Sequence, residues 1–289
     1  MTEGELTLHE AAAALGVHYM TAYRYVRIGI LAAHKSKGEW RVRRDDIEAF
    51  RSTPAPDPSA DGTAADDVDL RRTAPWAARL EARLVAGDQR GSWGVVEAAM
   101  ASGADLDDLY LAVLSPALRS IGERWASGEL DVFVEHRASV IAARLIGQIG
   151  PRFARRGRTR RMVIVGTPPG ERHSLPVAMV ADIVRQHGWE VFDLGADVPT
   201  ASFAKAAVAA LGDGDDHVVV GLSVTGGGHI AELEDTIRAV RAACPSAVVV
   251  VGGAAIQGHD HALAVGAHHF APNGRAFTAI LDDLANADA

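Results

Sequence analysis

The stretch Thr167-Pro168-Pro169-Gly170-Glu171-Arg172-His173 lies between an apolar run, Met162 to Gly166, and a helical pattern that begins near Ser174. A histidine on the loop after the first strand of an open α/β sheet stands at the carboxyl edge, where such sheets bind ligands. An imidazole there suits a borderline metal. Two further loops belong to the same edge: Gly221-Leu222-Ser223-Val224-Thr225-Gly226 after Val218 to Val220, and Val251-Gly252-Gly253-Ala254 after Ala247 to Val250. Singly, each is what the turns of any doubly wound domain carry. Jointly, in this order and after successive strands, they mark a site.

The elements that must position these loops follow from periodicity. From Thr159 onward, apolar runs beginning near Met162, Val191, Val218, Val248 and His268 alternate with helical stretches, the pattern of a parallel sheet with crossovers. Trp189 and Phe192 read as core. From Pro75 to Arg156 the pattern is continuously helical, with breaks near Gly87 to Gly91, Ser102 to Ala104 and Gly128 to Leu130, which fits four antiparallel helices. Residues 52–72 carry three prolines and five aspartates with almost no large apolar side chain, and read as a mobile linker.

The first fifty residues are different in character. Residues 6–16 read as a short helix, with Thr7 as N-cap and Glu10 in the capping-box position. A second helix is expected from about Tyr19 to Ile28, then two short strands within Ile30 to Val42, joined by Lys35-Ser36-Lys37-Gly38, and a helix from Asp45 through Phe50. The whole chain has a net charge of -8, yet between His18 and Arg44 seven basic residues face Glu39 alone, an excess of six. A concentrated basic patch on an acidic chain is the footprint of a nucleic-acid module.

Leu6-Thr7-Leu8-His9-Glu10-Ala11-Ala12, followed by Gly16-Val17 and Tyr23-Arg24-Tyr25, resembles the winged helix-turn-helix head of MerR-type regulators. The resemblance implies that the second helix enters the major groove, with His18, Tyr19, Thr21, Ala22 and Arg24 reaching base edges or nearby phosphates. Tyr23, Arg27, Lys35, Lys37 and Arg41 would hold the phosphate backbone. Tyr25, Trp40 and Phe50 read as packing residues.

The three sheet-edge loops resemble the cobalamin-binding domain, whose pattern is Asp/Glu-x-His-x-x-Gly, then Ser-x-Leu/Thr, then Gly-Gly. By that resemblance His173 is the lower axial ligand to cobalt and Glu171 takes the acidic position. Ser223, Thr225, Gly252 and Gly253 match the slot for the nucleotide tail. One position departs: the glycine expected three residues after the histidine is Pro176, which a helix tolerates in its first turn.

Trp125, followed after nine intervening residues by Glu135-His136, resembles the cap of the CarH/LitR group, the adenosylcobalamin-dependent light-sensing repressors of the MerR family. That resemblance implies that Trp125, Glu135 and His136 meet the upper adenosyl group. It also implies that light breaks the cobalt–carbon bond and that a DNA-bound tetramer then dissociates. The fold class expected is a winged helix-turn-helix head (1–51), a linker (52–72), a four-helix bundle cap (73–157) and a doubly wound, Rossmann-like cobalamin-binding α/β domain (158–289). The partners expected are double-stranded operator DNA, cobalamin and further copies of the chain. Here too one residue departs, because the family's histidine directly after the cap tryptophan is Ala126.

Two other classes stay open. A corrinoid carrier of a methyltransferase or mutase shares bundle and sheet but has no use for a DNA-binding head. A MerR-type regulator with another or an additional chromophore would use the room beside the Gly226-Gly227-Gly228-His229 run. An enzyme is not expected. Cys244 is the single cysteine, which excludes a disulfide framework and a cysteine-based zinc site. Hydrophobic residues make up 48% of the chain, too many for disorder, and no apolar run approaches a membrane span. Met1 to Glu5 lacks the basic and apolar regions of a signal peptide, so the cytoplasm is the expected compartment. His259-Asp260-His261 and His268-His269 read as surface loops.

Overall fold

The computed structural model describes residues 5–15, 22, 26, 31–36, 39–52, 75–153, 161–211 and 218–287. The chain falls into two units: Met1–Pro75 with Ala101–Gly103, and Trp76–Met100 with Ala104–Ala289, the second carrying the bundle and the sheet.

In the first unit, β1 (Glu5–Thr7) and β2 (His34–Ser36) flank β3 (Glu39–Arg43) in an antiparallel sheet, with Glu5 opposite Arg43 and His34 opposite Arg41. Residues 6 and 7, expected in the first helix, are therefore strand. Their backbone groups pair with β3, and α1 (Leu8–Leu15) starts only afterwards. The capping box forms: the Thr7 N–H donates to Glu10 Oε2 at 2.7 Å and the Glu10 N–H to Thr7 Oγ1 at 3.2 Å. The last helix, α2, spans Arg44–Ser52. Leu8, Ala11, Ala12, Ala22, Val26, Leu31, Val42 and Ile47 form the core, with Trp40 and Phe50 packed against it. Ala22, expected near DNA, is fully buried and belongs to this core.

The second unit opens with α3 (Trp76–Ala86) and α4 (Gln89–Ala101). A π-helical segment, Asp108–Leu114, then runs into α5 (Ser115–Ala126), and α6 (Val132–Phe153) completes the bundle. Five parallel strands follow: β4 (Met162–Gly166), β5 (Glu190–Asp193), β6 (Val219–Ser223), β7 (Val248–Gly252) and β8 (His269–Phe270). Their order in the sheet is β5-β4-β6-β7-β8. The connecting helices are α7 (Ser174–Gln186), α8 (Thr200–Ala210), α9 (Ile230–Ala243), α10 (His259–Ala264) and α11 (Gly274–Ala287).

Strand alternation assigns the two sheet faces. Ile164, Val220 and Val249 pack with Phe203 of α8 and Leu233 and Ile237 of α9. Val163, Val165, Val219 and Val250 pack with Val177 and Ala181 of α7 and Phe277 of α11. The opposite side of α7, Met179 and Ile183, enters the bundle core with Leu109, Leu145 and Ile149. So α7 is buried between sheet and bundle. Trp189 is core, but Phe192 is 45% exposed, because β5 is an edge strand. None of the described helices is long and apolar enough to cross a membrane.

Candidate cofactor-binding site

The strand order is that of a flavodoxin-like sheet, in which the chain leaves β4 toward one edge and returns to β6 on its other side. The loops after these two strands diverge and leave a crevice. The β4 loop is held rigidly. Thr167, fully buried, donates its hydroxyl to the Glu171 carbonyl and accepts the Asp197 N–H at 2.9 Å. Asp197 Oδ1 accepts the Gly170 N–H at 2.7 Å. Gly170 has φ +81°, a conformation glycine adopts without strain. Asp197 stands at φ +56°, the one non-glycine in that region among the described residues. Neither Thr167 nor Asp197 was among the sequence candidates. Both act through backbone partners, and Asp197 lies 30 residues from Thr167.

Glu171 is 1% exposed, and its carboxylate joins the two loops that border the crevice. Oε2 accepts the N–H groups of Thr225 at 2.7 Å and Gly226 at 2.9 Å, joining the β6 loop to the β4 loop. Oε1 accepts the His173 N–H at 3.0 Å and contacts the His173 Nδ1. Burial alone would raise the carboxyl pKa, but the bonds from Gly226, His173 and Thr225 outweigh it and hold it at about 2. The group is thus an anion and can only accept, so Nδ1 carries the proton and donates. The lone pair is left on Nε2. With the His173 side chain 57% exposed, that nitrogen is available to a metal from outside, and its ring is oriented as metal-binding imidazoles are. His173 also terminates the loop: α7 begins at the next residue, and Pro176 sits in its first turn.

Ser223 and Thr225 are half-buried at the carboxyl edge, and Ser223 pairs with Gly252 across β6 and β7. The two glycines have a further reason to be there. A Cβ at Gly253, whose φ is +94°, would come within 2.2 Å of the Val224 carbonyl oxygen, and one at Gly252 within 2.4 Å of the Ala271 carbonyl oxygen. Backbone packing demands glycine at both positions whether or not a ligand binds. In the Gly226 to His229 run, a Cβ at Gly227 or Gly228 would meet open space. Gly227–His229 forms a 3-10 turn that lays His229 against Gly170, where a Cβ would lie 2.8 Å from the imidazole Nδ1.

On the bundle, Trp125 lies in the last turn of α5 and is 47% exposed. Glu135 and His136 lie in the first turn of α6, with Val132 and Phe133 exposed beside them. Glu135 Oε2 meets His136 Nδ1 at 2.8 Å, and Oε1 accepts the Ser139 hydroxyl at 2.7 Å. Arg124 anchors this end of the bundle by ion pairs to Glu81 and Glu129. An aromatic surface and a polar pair are what an apolar ligand with a few polar groups needs. Among the described residues, no hydrogen bond or ion pair joins these three side chains to Glu171 or His173.

Of the residues expected to meet DNA, His18, Tyr19, Thr21, Tyr23, Arg24, Arg27 and Lys37 lie outside the described residues. Lys35 is placed on β2; Arg41, on β3, lies on the face opposite its strand neighbours Trp40 and Val42. Two other histidines serve the fold. His268 Nδ1 accepts the Val249 N–H at 2.8 Å, and His261 Nδ1 the Gln257 N–H at 3.2 Å. No group of three or more His, Cys, Asp or Glu fit for a metal ion occurs among the described residues.

Residues 5–53 match the helix-turn-helix domain family, and residues 76–149 and 161–281 match two families described as B12 binding domains. The HTH-type transcriptional repressor CarH of Myxococcus xanthus is 36% identical over 51% of this chain and 48% of its own length. The repressor CarA of the same organism is 28% identical over 60% of the chain and 57% of its own. Trimethylamine corrinoid protein 1 of Methanosarcina acetivorans is 31% identical over 39% of the chain and 54% of its own. The chain thus spans about half the length of the curated relatives it matches. The structure of the Methanosarcina barkeri monomethylamine corrinoid protein superposes with a TM-score of 0.62 at 18% identity, covering 70% of this chain and 95% of that one, and shows the fold. With a helix-turn-helix domain followed by a two-part B12-binding module, the chain resembles the CarH-type transcriptional repressors.

Proposed function

We propose that this protein is a light-responsive transcriptional regulator, a repressor, that binds adenosylcobalamin between bundle and α/β domain and catalyses no turnover. The observation that carries it is the Glu171–His173 pair: a buried anion fixes Nδ1 and turns Nε2 outward from the crevice of the sheet. That is the donor set an axial cobalt ligand needs. His173 is the lower ligand. Ser223, Thr225, Gly252 and Gly253 flank the nucleotide tail, and Trp125, Glu135 and His136 meet the upper adenosyl group. Adenosylcobalamin, when bound, supplies a light-labile bond between cobalt and carbon.

The head, residues 1–51, binds operator DNA through His18, Tyr19, Thr21, Tyr23, Arg24, Arg27, Lys35, Lys37 and Arg41. A linker over 52–72 joins it to the cap (73–157) and the cobalamin domain (158–289). One small head makes too few contacts for tight recognition, so the working form is a homo-oligomer; the resemblance to the light-sensing repressors implies a tetramer in the dark, and the compartment is the cytoplasm. Absorption spectra with adenosylcobalamin before and after illumination, together with DNA retardation in both states, test this. Retardation that is independent of both cofactor and light would refute it.

The 31% identity to a trimethylamine corrinoid protein favours a second reading, a corrinoid carrier. Methyl transfer from a methylated corrinoid, with no DNA binding, would select it.

A further inference from the structure

The helix leading into α5 leaves α geometry over seven residues, Asp108–Leu114, and π segments inside helices gather at functional places. This one carries Tyr110, which is fully buried and donates its hydroxyl to Asp182 Oδ2 at 2.7 Å. Asp182 belongs to α7, the helix that His173 caps. Its other oxygen accepts from Arg185 at 3.2 Å. Its carboxylate rests on the backbone of Gly150 in α6, where a Cβ would lie 2.3 Å from Oδ2. Two neighbours reinforce the joint: Arg275 of α11 donates to Asp107 Oδ2 at 3.2 Å, and Ser115 Oγ meets Met179 Sδ of α7 at 3.8 Å.

The surface around this joint is apolar, with Leu109, Leu145 and Ile149 facing Met179 and Ile183. Apolar packing is non-directional and tolerates small shifts of one helix along another. A buried hydroxyl bonded to a carboxylate does not, because any shift that parts them leaves the fully buried Tyr110 hydroxyl without its charged acceptor. Resting on the cobalamin reading above, we infer that Tyr110 and Asp182 are positioning residues. They form a polar latch that fixes the bundle on α7 and so sets the height of Trp125, Glu135 and His136 above His173.

Two cobalamins separate this role from plain structural support. Hydroxocobalamin has only a small upper ligand and engages the sheet side, whereas adenosylcobalamin also needs the cap at the right height. In the full chain, Tyr110→Phe is expected to weaken adenosylcobalamin binding about 10-fold, the worth of a charge-assisted hydrogen bond, and hydroxocobalamin binding by less than about 2-fold. Equal weakening of both, or of neither, overturns the latch. If Tyr110→Phe does not fold, Asp182→Asn, which keeps shape but loses charge, is judged by the same split. If the wild type binds neither cobalamin, or does not distinguish them, the proposed function fails instead. The latch is then judged by amide hydrogen exchange of residues 108–114 in the cofactor-free chain: faster exchange in Tyr110→Phe upholds it, and unchanged exchange overturns it.

Discussion

The carboxylate of Glu171 accepts the backbone N–H of Thr225 at 2.7 Å, across 54 residues of sequence and across the break between the β4 and β6 loops. One side chain thereby closes the crevice floor and, through its other oxygen, orients His173. Glu171→Gln keeps the shape but has one oxygen in place of two acceptors. It is expected to cost about 1–3 kcal/mol of stability and to weaken cobalamin binding about 10- to 100-fold, measured by urea unfolding and by titration.

The same group gives a pH signature. Its folded pKa of about 2 lies below the ordinary 4.5, so its contribution to stability is full above about pH 4.5 and is lost as pH falls toward 2. The unfolding free energy of the wild type should fall more steeply through that window than that of Glu171→Gln. Parallel curves would show that Glu171 is not the group responsible.

His173→Ala should separate ligation from folding. The ring is 57% exposed, but its loss takes a donor from the buried Glu171 carboxylate, so stability should fall by about 1–2 kcal/mol with the fold retained. Cobalamin affinity should drop sharply, and the absorption of any residual complex should change. An unaltered spectrum would remove His173 from the cobalt.

His268 provides a control at the far edge of the sheet. Burial first, then the charges of Arg241 and His269, push its pKa below the ordinary 6.5, and its neutral Nδ1 accepts the Val249 N–H. Folding therefore disfavours its protonation, and stability falls as pH drops below about 6.5. His268→Gln should flatten the dependence of Tm on pH between 7 and 5.

Ala126 ends α5 directly after Trp125, and a methyl group cannot coordinate a metal. After illumination of the adenosylcobalamin complex, the wild type should lack the bis-histidine absorption spectrum that Ala126→His acquires. His136 is the nearest imidazole in sequence, with Nδ1 held by Glu135 at 2.8 Å. A wild-type bis-histidine spectrum that persists in His136→Ala would point to a different histidine.

For DNA, Arg41 on β3 should act on the phosphate backbone. Arg41→Ala is expected to weaken binding similarly on all sequences and to lower the salt slope by about 1. Arg24→Ala should instead reduce sequence discrimination.

Much of this molecule is written locally. The Thr7–Glu10 capping box, the helix start at Ser174 with Pro176 in its first turn, the breaks between bundle helices and the five apolar strands depend on residues a few positions apart. The chain pattern therefore suffices to place them. The same holds for the identity of His173 and of the glycines as site candidates. Other features have their cause far along the chain, where no periodicity reports it. Residues 5–7 become strand only because β3 offers them partners 34 to 38 residues away. Phe192 stays exposed because β5 ends on the sheet edge, and Ala22 is buried because the head folds over it. Asp197 reaches Gly170 across 27 residues, and Tyr110 reaches Asp182 across 72. Which nitrogen of His173 faces outward was likewise a tertiary matter. It depends on the charge of Glu171, and that charge is held by two backbone N–H groups on a different loop.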